Sequence, residues 1–142
     1  MANHFASAYW EKDLKSGNGK MKAGSGAFDV PYSFISRFEE KQGTNPEEMI
    51  GAAHAGCYSM AFSHGLATKG FPPKRVSTSA KVSLEKVGEG FAITTIELTM
   101  EGDVPNIDEK TFMAIAEDAK KNCPVSKALA GVNIKLNAKL KK

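Results

Sequence analysis

Apolar and polar residues alternate strictly from Val76 to Glu85. Val76, Thr78, Ala80, Val82 and Leu84 fall on one side, and Ser77, Ser79, Lys81, Ser83 and Glu85 on the other. Successive side chains of an extended chain point to opposite faces, so this period of two predicts a half-buried strand. Gly88-Glu89-Gly90 then turns the chain into a second strand over residues 91–101, completing a long hairpin. Val132, Ile134, Leu136, Ala138 and Leu140 predict a last strand, with Lys135, Lys139 and Lys141 on its wet side. Nearer the start, residues 5–10 are apolar and aromatic, and residues 20–23 and 27–30 flank the hairpin turn Gly24-Ser25-Gly26. Pro31 is expected to close that strand, and residues 32–38 to form an aromatic connection with a helical turn.

Two helices are bounded by their own punctuation. Asn45 is a good N-cap, Pro46 suits the first helical position and Glu48 stands at the capping-box position. That helix is predicted to run to residue 69, where Gly70 and then Pro72-Pro73 stop it. Its apolar residues (Met49, Ile50, Ala52, Ala53, Ala55, Tyr58, Met60, Ala61, Phe62, Leu66) spread around most of the cylinder, so it is expected to be central and buried on several sides. Gly51, Ala52, Ala53, Ala55 and Gly56 would let another backbone approach closely. Asp108 caps the next helix, with Phe112, Ile115, Ala116 and Ala119 on one face and Lys120 and Lys121 at its C-terminal end. A residue before proline avoids helical geometry, so Pro124 breaks the chain at Cys123 and starts a short helix to about residue 130. The order βββ-α-ββ-α-α-β lacks the strand–helix alternation of a doubly wound sheet, which makes the fold class α+β.

The 142 residues are read as one domain, residues 1–142, long enough to bury a core without staples. The longest apolar stretch is cut by His54, Ser59, Ser63 and His64, and is therefore no membrane span. Met1-Ala2-Asn3-His4 opens no charged-then-apolar leader, so a cytoplasmic protein is expected, in which disulfides are usually transient. The net charge of +3 comes largely from solvated lysines near the end of the chain. With no aromatic interleaving and no clustered arginine, no nucleic-acid partner is expected. Only Arg37 and Arg75 among the 19 basic residues are arginine, which marks them as places where a planar, permanently charged fork is wanted.

The chemistry centres on two cysteines. Cys123 caps a new helix, where unpaired N–H groups and the positive dipole end favour thiolate, or it is simply an adequate small cap. Cys57 lies three turns into its helix, beyond the dipole's reach. It is either a buried inert thiol or a reactive one with a cation nearby, for which Arg37 is the suitable residue. Cys123-Pro124-Val125-Ser126 looks like a thioredoxin-type Cys-x-x-Ser motif, but only about 20 residues follow it, too few for that fold. His54 shares a face with Cys57, yet a metal site lacks a third ligand and a cysteine hydrolase lacks an orienting Asn or Asp. Glu47 and Glu48 complement the helix dipole. Ten positions separate Glu47 from Cys57, about 15 Å on one straight helix, so a joint site requires a fold-back or a second subunit.

Arg37-Phe38-Glu39, Gly43-Thr44-Asn45-Pro46-Glu47-Glu48, Ala53-His54-Ala55-Gly56-Cys57-Tyr58-Ser59-Met60-Ala61, Gly90-Phe91-Ala92-Ile93-Thr94 and Cys123-Pro124-Val125-Ser126 strongly resemble the osmotically inducible protein C (OsmC) family. This family is related to the organic hydroperoxide resistance (Ohr) proteins. The resemblance implies a thiol-dependent peroxidase acting on organic hydroperoxides, and an intertwined homodimer with antiparallel sheets wrapping central helices and two sites at the interface. It implies Cys57 as the peroxidatic cysteine, Cys123 as the resolving one, and Arg37 held by a bidentate contact from Glu47. In the Ohr branch the arginine lies nearer the N-terminus, where this chain has Lys15 and Lys20, so the chain resembles the OsmC branch. No cofactor or metal is implied. The implied reductant is an external dithiol, of lipoyl type, or a lipoylated protein. Met60, Phe62 and Phe38 are expected to line an apolar approach. The competing expectation is a non-enzymatic dimer that binds a small ligand or a partner, with inert cysteines.

Overall fold

A meander of three short strands opens the chain: β1 (Ala6–Glu11), β2 (Asn18–Ala23) and β3 (Asp29–Ser33), antiparallel in the order β1-β2-β3. The structure, a computed structural model, describes residues 1–39 and 43–142. The β2–β3 turn uses Gly26 at φ +84°, where the missing Cβ removes the strain of the left-handed region. Pro31 does not close β3. The strand continues to Ser33 with Pro31 opposite Lys20, because β3 lies at the edge of this sheet, where a proline's missing N–H is tolerated. Gly19 of β2 sits between Trp10 and Tyr32, whose ring centroids are 5.2 Å apart; a Cβ there would come within 3.0 Å of both rings.

Ser33 then caps α1 (Phe34–Phe38) through a reciprocal box with Ser36. Asn45 caps α2 (Pro46–Thr68), accepting the Glu48 N–H at 2.7 Å. The Glu48 carboxylate does not return to the cap but accepts the Thr44 hydroxyl at 3.0 Å. These elements and the first turn of α2 make up one compact unit, Met1–Met49; residues Ile50–Lys142 make up a second.

The second unit is built on the long hairpin. β4 (Arg75–Val87) pairs antiparallel with β5 (Gly90–Asp103), and Gly88 takes φ +63° in the turn. After β5 the chain crosses through α3 (Glu109–Asn122) and α4 (Pro124–Ala128). It returns as β6 (Asn133–Leu140), parallel to β5, so β5 is the middle strand. Ile96, Leu98 and Met100 of β5 point to one face and are fully buried against Tyr58, Phe62 and Leu66 of α2 and Phe112, Ile115, Ala116 and Ala119 of α3. The α3 face is the one that its period of 3.6 predicts. Phe62 and Phe112 meet edge to face at 5.2 Å, and Tyr58 donates its buried hydroxyl to the Ala116 carbonyl at 2.9 Å. Gly102 makes room for Phe112: a Cβ there would lie 2.8 Å from the ring.

Within this unit α2 ends at Gly70 (φ +92°), with Gly70 N–H donating to Ala67 O and Phe71 N–H to Leu66 O, a Schellman closure. The expectation of burial on several sides is not met in the single chain. His54, Tyr58, Phe62 and Leu66, spaced by four, form one buried stripe, while Ala52, Ala53, Gly56 and Met60 are exposed. One hairpin and one crossover helix supply apolar cover on one side of a helix only. Phe62 is correspondingly core and lines no approach, whereas Met60 is 75% exposed.

Candidate functional site

The two cysteines, 66 positions apart, meet. Pro124 keeps Cys123 out of helical geometry (φ −56°, ψ 129°), so Cys123 ends α3 and caps α4 at a corner rather than continuing either axis. That corner directs its sulfur at α2, where Cys57 lies beside the buried stripe. The sulfurs are 3.1 Å apart, both thiols are free, Cys123 is fully buried and Cys57 half-buried. A disulfide measures about 2.05 Å between sulfurs, so closing one here takes a shift of about 1 Å.

The electrostatics of the pair are unequal. Burial pushes the Cys57 thiol up, and the neighbouring Cys123 sulfur pushes it further. Burial also opposes charge on Cys123, but the neighbouring Cys57 thiol and the polar groups of Ser126 and Val125 at the start of α4 outweigh it. Cys123 therefore lies below the ordinary thiol range. Either sulfur can donate to the other.

His54 is fully buried on the same stripe of α2. Its Nε2 lies 2.8 Å from Ser126 Oγ, and its Nδ1 is enclosed without a partner among the described residues. The sequence marks His54 only by its position three before Cys57; Ser126 as its partner is a product of the tertiary fold.

In the first unit, Arg37 and Glu47 also meet, though not as a bidentate fork. Arg37 Nε and Nη2 both donate to Glu47 Oε1, at 3.1 and 2.8 Å, while Oε2 is buried without a partner among the described residues. Glu47 is almost enclosed, whereas the Arg37 side chain is 35% exposed. The guanidinium also lies 5.3 Å from the Phe38 ring centroid. Trp10, Leu14, Tyr32, Phe34, Arg37 and Phe38 line a cleft of about 230 Å³. The sequence placed Trp10 in an apolar, aromatic strand and Tyr32 in an aromatic connection, with no part in a site. The signal for them is Gly19, the one residue of the middle strand small enough to let two rings from its neighbours converge.

The OsmC-like protein family model matches residues 39–137. Peroxiredoxin OsmC of Escherichia coli (strain K12) is 53% identical over 123 residues, 86% of either chain. Organic hydroperoxide resistance protein-like 1 of Staphylococcus saprophyticus is 26% identical over 122 residues, 84% of this chain and 86% of that one. The crystal structure of an organic hydroperoxide resistance protein OsmC from Legionella pneumophila superposes with a TM-score of 0.78 at 22% identity, covering 98% of this chain and 99% of that one. That last likeness speaks for the α+β fold. Family model and identity together speak for descent, and the chain belongs to the OsmC family.

Proposed function

We propose that the chain is a cysteine-based peroxidase that reduces organic hydroperoxides, and hydrogen peroxide as well. The observation that carries this reading is the 3.1 Å separation of two free sulfurs from distant parts of the sequence. The names of the relatives, a peroxiredoxin and an organic hydroperoxide resistance protein, support it.

In the first step the Cys57 thiolate attacks the distal peroxide oxygen. A sulfur–oxygen bond forms, the oxygen–oxygen bond breaks, and the alkoxide or hydroxide leaves and takes up a proton, leaving Cys57 as a sulfenic acid. Cys123 condenses with it, releasing water and forming the disulfide. An external dithiol, of lipoyl type or carried on a protein, reduces that disulfide in two exchanges. No resident cofactor is involved. The cation that Cys57 needs is Arg37, oriented by Glu47, and in this reading the site is completed at the interface of a homodimer. The exposed small-residue face of α2 (Ala52, Ala53, Gly56) supports close approach of a second copy. The setting is cytoplasmic, where both thiols are kept reduced between turnovers.

Thiol titration before and after one equivalent of hydroperoxide tests the reading: two thiols per chain are lost, and Cys57→Ser abolishes dithiol-dependent peroxide consumption. Survival of both thiols, as the inert-cysteine reading expects, or consumption by Cys57→Ser at the wild-type rate, overturns it.

A further inference from the structure

We propose that the buried contact between His54 Nε2 and Ser126 Oγ is the positioning tie of the redox pair: it clamps the Cys123 corner to α2 one helical turn from Cys57, so that the two sulfurs stay within disulfide reach in the reduced protein. The inference rests on the peroxidase reading above and deepens it.

Two contacts join the same two segments. His54 meets Ser126 at 2.8 Å, and Cys57 meets Cys123 at 3.1 Å. On α2 the two partners are three residues apart and share a face. On the other segment they are again three apart, in the opposite order. The contacts are therefore two rungs of one antiparallel crossing, spaced by about 4.5 Å along α2. The second rung must shorten by about 1 Å to become a disulfide. With the first rung held, that movement is a small tilt of the Cys123 corner and not a search.

The corner has need of such a tie. Its backbone bonds, Cys123 N–H to Ala119 O, Lys127 N–H to Cys123 O and Leu129 N–H to Val125 O, stay within α3 and α4. Val125 and Leu129 pack only partly buried against the core, and apolar contact is not directional. The His54–Ser126 contact is directional and dry, since Ser126 is 6% exposed and His54 fully enclosed. A histidine present only to fill this place would be a poor choice, because an apolar side chain would fill it without stranding the buried Nδ1. Burial holds His54 below the ordinary histidine range, so the ring is neutral and brings no charge to the thiols.

Closure takes two electrons and two protons from the pair as the S–S bond forms. In turnover the hydroperoxide accepts them and becomes alcohol and water. Oxidised dithiothreitol can accept them instead, its ring disulfide opening to the dithiol.

The test equilibrates the purified protein with mixtures of reduced and oxidised dithiothreitol at neutral pH, then quenches with acid and measures the Cys57–Cys123 disulfide by mass. The equilibrium constant reports the effective concentration of one sulfur at the other and involves no peroxide. In Ser126→Ala and in His54→Leu it falls about fivefold, the equivalent of one net hydrogen bond. The double variant falls no more than about twofold further, because either change alone removes the whole tie. Ser126→Thr keeps the hydroxyl and His54→Gln keeps a nitrogen that reaches it, so each stays above its Ala or Leu counterpart. A contact that merely supports the fold lowers the urea midpoints of the oxidised and reduced forms equally and leaves the dithiothreitol constant unmoved. Constants within twofold of wild type in the folded single variants, or losses that multiply in the double variant, overturn the proposal. Should His54→Leu not fold, equal constants in Ser126→Ala and Ser126→Thr overturn it. Failure of the wild-type protein to lose two thiols to hydroperoxide overturns the peroxidase reading and leaves the dithiothreitol result standing, so the two failures are distinct.

Discussion

The sulfur pair should lose its two protons in widely separated steps, and removing either cysteine should collapse the titration to one. Two unit charges 3.1 Å apart repel by about 5 kcal/mol at an effective dielectric constant of about 20. At about 1.36 kcal/mol per pH unit, a repulsion of that size sets the second step clearly above the first. Cys57 is half-buried and partly screened by water, which narrows the separation without closing it. Over that interval each chain carries a single thiolate, which belongs to the pair. An arginine brought beside the pair lowers both steps and leaves their separation in place, so the prediction does not depend on assembly. Ultraviolet thiolate absorbance, followed through a pH titration of the reduced protein, reads the charge directly. Wild type gives two steps of equal amplitude. Cys57→Ser gives one, because Cys123 keeps its donors from Val125 and Ser126. Cys123→Ser gives one, below the upper wild-type step, because the neighbouring charge that raises Cys57 is gone. Two wild-type thiols titrating over the same pH range would refute the reasoning, since it would mean that the sulfurs do not sense each other at the distance that disulfide closure needs.

Glu47→Gln tests the other pair. It keeps both bonds from the Arg37 guanidinium but moves them from a carboxylate to a neutral amide oxygen, and places the amide NH2 at the Oε2 position that has no partner among the described residues. The loss is about 1 kcal/mol after allowing for the partial exposure of Arg37. The expected result is an approximately fivefold fall in the rate of Cys57 oxidation by hydroperoxide in stopped flow; an unchanged rate removes Arg37 orientation from the mechanism. Gly102→Ala drives a methyl to 2.8 Å from the Phe112 ring and should cost about 1–3 kcal/mol in urea unfolding. Phe112→Leu in the same chain should recover part of that loss, and strictly additive losses would show that the contact is not the cause.

Local structure was legible wherever a short-range cause sets it. Asp108 caps α3 through the Thr111 N–H at 2.9 Å, Asn45 caps α2, Gly70 ends it, and the alternation of 76–85 becomes β4. Pro31 misled because proline forbids a donor, not a strand, and only sheet order reveals that β3 is an edge. The α2 surface misled for a related reason. Composition shows that a helix is apolar all round but not how much of its cover comes from its own chain. Phe62, read as lining an approach, is core because its position on the stripe sets it against Phe112.

The site divides along the same line. Their types and neighbours in the chain, a thiol before a proline, an acid in a first turn and a scarce arginine, made Cys57, Cys123, Arg37 and Glu47 candidates, and the family resemblance implied them as one site. Their pairing was decided by tertiary structure alone. Cys57 and Cys123 meet because the Phe62–Phe112 and Tyr58–Ala116 contacts bring α3 onto α2 and the Pro124 corner turns one sulfur toward the other. The same approach gives His54 its hydroxyl partner, 72 positions away. No period or motif encodes such a distance; apolar burial closes it, and the chemistry follows from where the helices come to rest.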